Sequence, residues 1–279
     1  MKILYPLAKR FIAGHNFDSA KPKIQRLLED GYEVSVDYLG ELSKSNEDCV
    51  KATNQYLEII NFYKDVEINI SIKPSQLGLL INPKISYDNL SLIAKAAKRR
   101  GHTIRLDMED SRVTELTRNQ AISLNKKFGN VGVAIQANLF RTEEDLKILI
   151  EHNVSVRLVK GAYKEVEGIA YQTEMDVNAS LFHYAVTLYQ KTANKPAIGT
   201  HDEGLLEDIE ELIPNPSYFD YEFLYGIRRD LQKKMKFKNY STRIYVPFGE
   251  DWLPYTMRRL KEWKNLKFVI RNIFKEWGN

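Results

Sequence analysis

The segment 154–164, VSVRLVKGAYK, concentrates groups suited to a negatively charged ligand. Period two along a strand puts Arg157 and Val159 on one face and carries Lys160 to the strand end. Gly161 permits a turn or a close approach of backbone to ligand, and Tyr163 can lay a flat face over an organic ring. The competing reading is a solvated basic loop with a buried ion pair. KGAY lacks Walker spacing, which argues against a nucleotide hydrolase. A second such segment is YTMRRLKE, 255–262. Glu262 stands four residues beyond Arg258 and three beyond Arg259, and Tyr255 stands three before Arg258, so one helix side can carry them all. Two guanidiniums suit bidentate capture of a carboxylate, and Lys73 could add a third positive charge. The same spacing fits a plain helix surface with an i,i+4 ion pair, and spacing alone does not choose.

His201, between Thr200 and Asp202, is the one histidine at a predicted strand end. A three-histidine metal site is therefore not expected, while a mixed site of His201 with Asp107 and Glu109 stays open. His15, His102, His152 and His183 fall in loops or helices and read as exposed or structural. Carboxylates near Asp107 and Glu41 could serve glycoside hydrolysis. The basic segments at the same rim fit an anionic ligand better: a phosphate-bearing cofactor, a small carboxylate substrate, or both.

These residues need a frame, and the chain supplies one by alternating short apolar runs with longer amphipathic runs, a parallel-sheet pattern. Eight strands are predicted, at 32–38, 67–73, 103–108, 131–137, 154–159, 196–200, 218–222 and 242–246, the seventh having the vaguest limits. Helices are predicted near 46–64, 87–100, 112–127, 143–151, 173–191, 203–212, 225–236 and 250–263. Asp110 and Ser111 are cap candidates for the third of these and Thr142 for the fourth, whose first turn holds Glu143, Glu144 and Asp145. Two short helices, about 3–12 and 18–30, are expected ahead of the first strand. The expected fold is α/β, a (β/α)₈ TIM barrel in one domain over 1–279, with its core at about 32–263. An open doubly wound sheet is the alternative, but LGELSKSNED after the first strand holds no GxGxxG. In a barrel the strand C-termini converge, and nearly every predicted unit ends in polar residues, among them Asp37, Glu41, Lys73, Asp107, Gln136, Thr200, Glu222 and Tyr245.

A net charge of +4 without a concentrated basic stripe or RNA-reading motif gives no support for nucleic-acid binding. The single cysteine, Cys49, forbids an internal disulfide and reads as a small, partly buried helix residue. MKILYPLAKRFIAGHNF is broken by Lys9 and Arg10 and lacks a signal-peptide h-region, and no window reaches the apolar length of a spanning helix. The tail, 263–277, sets Trp263, Leu266, Val269, Ile270, Ile273, Phe274 and Trp277 at helical spacing among basic residues. The spacing predicts a basic amphipathic surface helix, either for peripheral membrane contact or for packing on the barrel or a partner subunit. The sequence carries no signal for oligomeric state.

Nine segments in order, DYLGE (37–41), SIKPS (71–75), LDMED (106–110), QANL (136–139), VRLVKGAY (156–163), GTHD (199–202), FLYGIR (223–228), RIYVPFG (243–249) and YTMRRLKE (255–262), resemble the monofunctional proline dehydrogenases. The match covers about residues 10–265. The resemblance implies an FAD-containing barrel in the cytoplasm or peripheral on the inner face of the membrane. It implies hydride transfer from C5 of L-proline to flavin N5, giving Δ1-pyrroline-5-carboxylate, with electrons passed to a quinone. It implies that Lys73, Arg258 and Arg259 clamp the substrate carboxylate, with Asp107, Tyr163, Tyr245, Tyr255 and Leu224 forming the proline pocket. Gln136, Arg157, Lys160, Ala162, Thr200 and His201 become FAD contacts, Arg157 near flavin N5, and Glu262 contacts the cofactor or orients the clamp. Three positions depart from the family pattern: Lys164 replaces the usual Trp, Asp202 the usual Asn and Glu222 the usual Gln. Other classes remain on the sequence alone: a barrel enzyme for another cyclic amine such as hydroxyproline, a metal-dependent lyase or hydrolase, and a non-enzymatic binding protein.

Overall fold

Alternation along each strand sends one set of side chains outward to the helices and the other into the barrel. Val34, Val36, Ile70, Ile72, Ile104, Leu106, Val133, Ile135, Leu158, Ile198, Phe223, Ile244 and Val246 belong to the main apolar core. Their period-two spacing is the reason a short run can be a wall strand and still carry polar groups on its other face. The computed structural model describes the backbone over 8–213, 215 and 218–265, and side chains as far as residue 260.

The strands are β1 (Glu33–Tyr38), β2 (Asn69–Ile72), β3 (Thr103–Leu106), β4 (Val131–Gln136), β5 (Val156–Val159), β6 (Ala197–Gly199), β7 (Asp220–Leu224) and β8 (Ser241–Phe248). They are parallel and close into one barrel in chain order, β8 returning to β1 with Glu33 opposite Arg243 and Asp37 opposite Pro247. The helices are α1 (Phe17–Glu29), α2 (Asn46–Phe62), α3 (Pro83–Arg99), α4 (Thr114–Phe128), α5 (Thr142–Glu151), α6 (Glu174–Lys191), α7 (Glu203–Leu212), α8 (Arg229–Phe237) and α9 (Trp252–Asn265). The expected barrel is the observed one.

Differences lie at the ends of elements. β7 runs two residues later than 218–222, because Asp220 through Leu224 pair in register with Ser241 through Tyr245. α3 starts at Pro83 rather than near 87, since the Asn82 side chain accepts the Lys84 N–H and proline suits the first helical position. Asp110 and Ser111 do not cap α4: its flanking residue is Val113, Asp110 binds Arg112, and Ser111 binds Glu165. Thr142 does not cap α5 either but is its first residue, its hydroxyl donating to the Gln136 carbonyl; Glu143, Glu144 and Asp145 do fill the first turn. The expected helix at 18–30 is α1, opened by a reciprocal cap between Asn16 and Ser19. The other N-terminal helix, near 3–12, lies largely outside the described residues, as does the tail from 266 onward.

A second apolar cluster gathers Ala8, Phe11, Ile12, Leu39, Ile227, Trp252 and Tyr255, with Leu224, Leu253 and Leu260 against it. It ties the N-terminal segment, the end of β1, the β7–α8 turn and α9 together at the C-terminal mouth. Gly226 sits at this junction with φ +75, and a Cβ there would come within 1.7 Å of the Arg10 carbonyl oxygen. Gly101 has nearly the same φ, +76, but open space around it. Gly101→Ala should therefore cost about 1–2 kcal/mol, the left-handed penalty alone, whereas Gly226→Ala should exceed about 3 kcal/mol. Urea-unfolding midpoints compare the two; equal losses would show that the Arg10 contact does not matter.

Candidate active site

The inside of this barrel carries charge where most barrels carry aliphatic layers. The inward positions of successive strands hold Asp37, Ser71 and Lys73, then Arg105 and Asp107, Arg157, Glu222, and Arg243 and Tyr245. Apart from Arg105, which reaches the Ser155 hydroxyl at 3.5 Å, they bond in sequence across the lumen. Lys73 Nζ lies 3.2 Å from Asp37 and 3.5 Å from Asp107. Arg157 donates one nitrogen to Asp107 and the other to Glu222 at 3.0 Å and Ser71 at 3.2 Å. Arg243 donates to the second oxygen of Glu222 at 3.1 Å. The Tyr245 hydroxyl donates to Asp107 at 2.7 Å, and its ring lies 5.4 Å from the Arg157 guanidinium carbon. Burial would strip Lys73 and Arg157 of their protons, but Asp37 and Asp107 on Lys73, and Asp107 and Glu222 on Arg157, hold both cations well above their ordinary range. Burial opposes ionisation of Glu222 too, yet Arg157, Arg105 and Arg243 hold its carboxyl below the usual range. Fully enclosed Asp37 goes the other way: burial pushes it up and Lys73 offsets only part of that.

Above this chain of ion pairs lies the mouth. Gln136 takes the Ala162 N–H on its oxygen at 3.3 Å and gives its own N–H to the Glu109 carbonyl at 2.9 Å, so the two predicted cofactor residues meet directly. Gly161 next to them has φ +124, and a Cβ would sit 2.3 Å from the Asn138 side chain, so glycine is required on both counts. Lys160 pairs with Asp202 at 2.8 Å, and Asp202 also receives the Leu205 N–H at the start of α7. The Thr200 hydroxyl accepts the Asp202 N–H. His201 accepts the Leu224 backbone N–H on Nε2 at 3.0 Å, which leaves its proton on Nδ1. Burial, then Arg259, Arg228 and Lys160, push its pKa down to about 3.

The two arginines of the predicted clamp have different partners. Arg258, on α9, reaches Glu41 beyond β1 at 2.9 Å, and the buried Arg259 lies over the Tyr255 ring at 5.3 Å. The Glu262 side chain lies outside the described residues. Tyr163 is held protonated by its burial, which the field of Lys73 only partly offsets. The open metal reading is not assembled: Asp107 is taken by Arg157 and Lys73, Glu109 by Ser75, and His201 Nε2 by Leu224, and no metal-binding group of three occurs among the described residues. Sequence reading placed Asp37 and Glu41 at the rim without seeing them as partners of Lys73 and Arg258. The signal was there for Asp37, because a lysine ending an apolar strand needs a carboxylate beside it.

The family model described as proline dehydrogenase matches residues 20–271. The chain belongs to the proline dehydrogenase family. Proline dehydrogenase 2 of Bacillus subtilis (strain 168) is 34% identical over 277 residues, covering 96% of this chain and 91% of that protein. The proline dehydrogenase of Deinococcus radiodurans is 33% identical over 284 residues, covering 98% and 91%. The crystal structure of proline utilization A from Bdellovibrio bacteriovorus, inactivated by N-propargylglycine, aligns with a TM-score of 0.86 at 24% identity. It covers 97% of this chain and 34% of that one, and at this identity it bears on the fold alone. Membership makes the chain an oxidoreductase.

Two outcomes follow from the geometry. Imidazole nitrogen shifts of His201 should report a neutral Nδ1–H ring from about pH 8 to about pH 5; titration near 6.5, the ordinary value, would contradict the bond to Leu224. Because this folded-state value lies below the unfolded one, its contribution to stability is complete above pH 6.5 and is lost as the pH falls toward about 3. Lys73→Met should cost about 3–5 kcal/mol by stranding Asp37, and the double variant with Asp37→Asn should recover most of it in a double-mutant cycle. Strict additivity of the two losses would mean that the pair is not coupled.

Proposed function

We propose that the chain oxidises L-proline to Δ1-pyrroline-5-carboxylate with FAD as cofactor and a quinone as final electron acceptor. The family and the names of the relatives support proline as substrate, those proteins being proline dehydrogenases by name. The observation that carries the reading is that Arg258 on α9 reaches across the mouth to Glu41. On the same helix Arg259 lies over the Tyr255 ring, and Lys73 donates to the Tyr245 hydroxyl, so cations and aromatic rings stand side by side here. Proline is a small zwitterion with one carboxylate and an apolar ring, and it needs just such a pairing of cation and aromatic wall.

The residues fit FAD on two observations. Burial holds His201 neutral with Arg259, Arg228 and Lys160 adding to it, and an anionic diphosphate would offset the charge of those three cations. Gly161 keeps the loop after β5 free of a side chain where its backbone crosses Asn138. Gln136, Arg157, Lys160, Ala162, Thr200, His201 and Glu262 would hold the cofactor, and FAD when bound supplies the hydride acceptor. Arg258, Arg259 and Lys73 bind and orient the substrate carboxylate. Tyr163, Tyr245, Tyr255 and Leu224 exclude water and fix the ring, while Asp107 holds Tyr245, Lys73 and Arg157 in register.

The purified protein should be yellow, and L-proline should bleach it in the absence of oxygen. Arg258→Ala and Arg259→Ala should each raise KM for proline about 10- to 100-fold, the worth of a charge-assisted hydrogen bond, with flavin still bound. A colourless protein that takes up no flavin on reconstitution would refute the cofactor, and unchanged kinetics would refute the clamp.

A further inference from the structure

Glu222 is a carboxylate in the middle of the barrel, 3% exposed, and the reading above gives it no task. Its two oxygens are divided between two guanidiniums: one accepts from Arg157 at 3.0 Å, the other from Arg243 at 3.1 Å. Arg157 is thereby held on opposite sides by two carboxylates, Asp107 and Glu222, with the Ser71 hydroxyl alongside. Arg243 is anchored in turn by Asp220 at 2.8 Å and by Glu33. The strand register leaves little slack. Glu222 stands opposite Gly199 on β6 and Arg243 on β8. A Cβ at Gly199 would come within 2.9 Å of Val159 and 3.7 Å of Arg157 Cδ, so the lumen beside the arginine side chain is already filled.

Two consequences follow from elementary electrostatics. A guanidinium fixed between two carboxylates cannot turn to follow a ligand, so its direction toward the mouth is set before anything binds. The charge it presents is also not a full positive charge: each carboxylate subtracts from it, and Arg243 returns part of what Glu222 removes. In a lumen shielded from water such contributions act over several ångströms.

We propose that Glu222, backed by Arg243, is a positioning residue that fixes Arg157 and sets the electrostatic potential at the reacting end of the bound flavin. The proposal rests on the FAD reading above. Glu222 acts by holding Arg157 and by its own charge. Its negative charge disfavours electron uptake by the flavin, and Arg243 counters it. Neutralising Glu222 while keeping its shape makes the flavin easier to reduce; neutralising Arg243 makes it harder.

The test is the midpoint potential of the flavin bound to full-length protein, measured by equilibrium dye reduction for wild type, E222Q, E222D and R243Q. E222Q should raise the reduction equilibrium constant about tenfold, close to 30 mV for a two-electron couple. E222D, which keeps the charge, should stay near wild type, and R243Q should shift the potential the opposite way. A residue that merely braced the fold would lower the unfolding temperature in all three variants and leave the potentials together. If E222Q does not fold, R243Q carries the test with the opposite sign expected. A folded E222Q or R243Q whose flavin has the wild-type potential overturns the proposal and leaves the FAD reading intact. Wild-type protein that binds no flavin overturns the FAD reading, and the proposal with it.

Discussion

The row of ion pairs from Asp37 through Lys73, Asp107, Arg157 and Glu222 to Arg243 is the constraint on which the rest of this molecule depends. Charges taken out of water cost several kcal/mol each unless every one finds a partner. Here Lys73, Arg157 and Arg243 each reach two carboxylates among Asp37, Asp107, Asp220 and Glu222, whereas Arg105 reaches the Ser155 hydroxyl. A hydrophobic filling would stabilise a barrel at least as well. What the polar filling achieves is direction: six strands contribute to one bonded row, so no single side chain can move without disturbing the next. Stability must then come from the other face of each strand, where the aliphatic residues pack under the helices.

That division of labour explains the mouth. The strand interiors are rigid, whereas the cover is assembled from parts distant in the chain: the N-terminal segment, the β7–α8 turn and α9. Arg258 pairs with Glu41 in a contact about one quarter exposed on each side, and such a pair can open at little cost. Arg157, with both its partners buried, cannot. A fixed cation in the lumen and an openable one in the cover are what a site needs if a cofactor stays and a small substrate comes and goes.

The three departures from the family pattern fall in physically different places. Lys164 is exposed. Asp202 pairs with Lys160 and caps α7, so it draws one cation of the mouth toward the helix. Glu222 is buried and bonded to two arginines. In place of glutamine it adds a negative charge, and in the fold that charge is shared between Arg157 and Arg243.

Much of this was legible in the sequence, and the reasons are specific. Alternation such as EVSVDY in β1 and TRIYV in β8 gave the strands and which side chains face inward, because period two is a local property of an extended chain. The polar rim followed, since parallel strands joined by helices must end at one mouth. Cap assignments failed at Ser111 and Thr142, where the side chains found better partners in Glu165 and the Gln136 carbonyl. Whether Arg258 formed an i,i+4 surface pair or faced a ligand was undecidable from spacing, and its partner proved to be Glu41, which lies 217 residues away in the chain. The sequence by itself determined that polar and charged residues would gather at the C-terminal rim of a barrel of parallel strands. Which carboxylate neutralises which cation was decided only by tertiary structure, because closing β8 onto β1 sets the stagger of the strands, and that stagger sets every distance across the lumen.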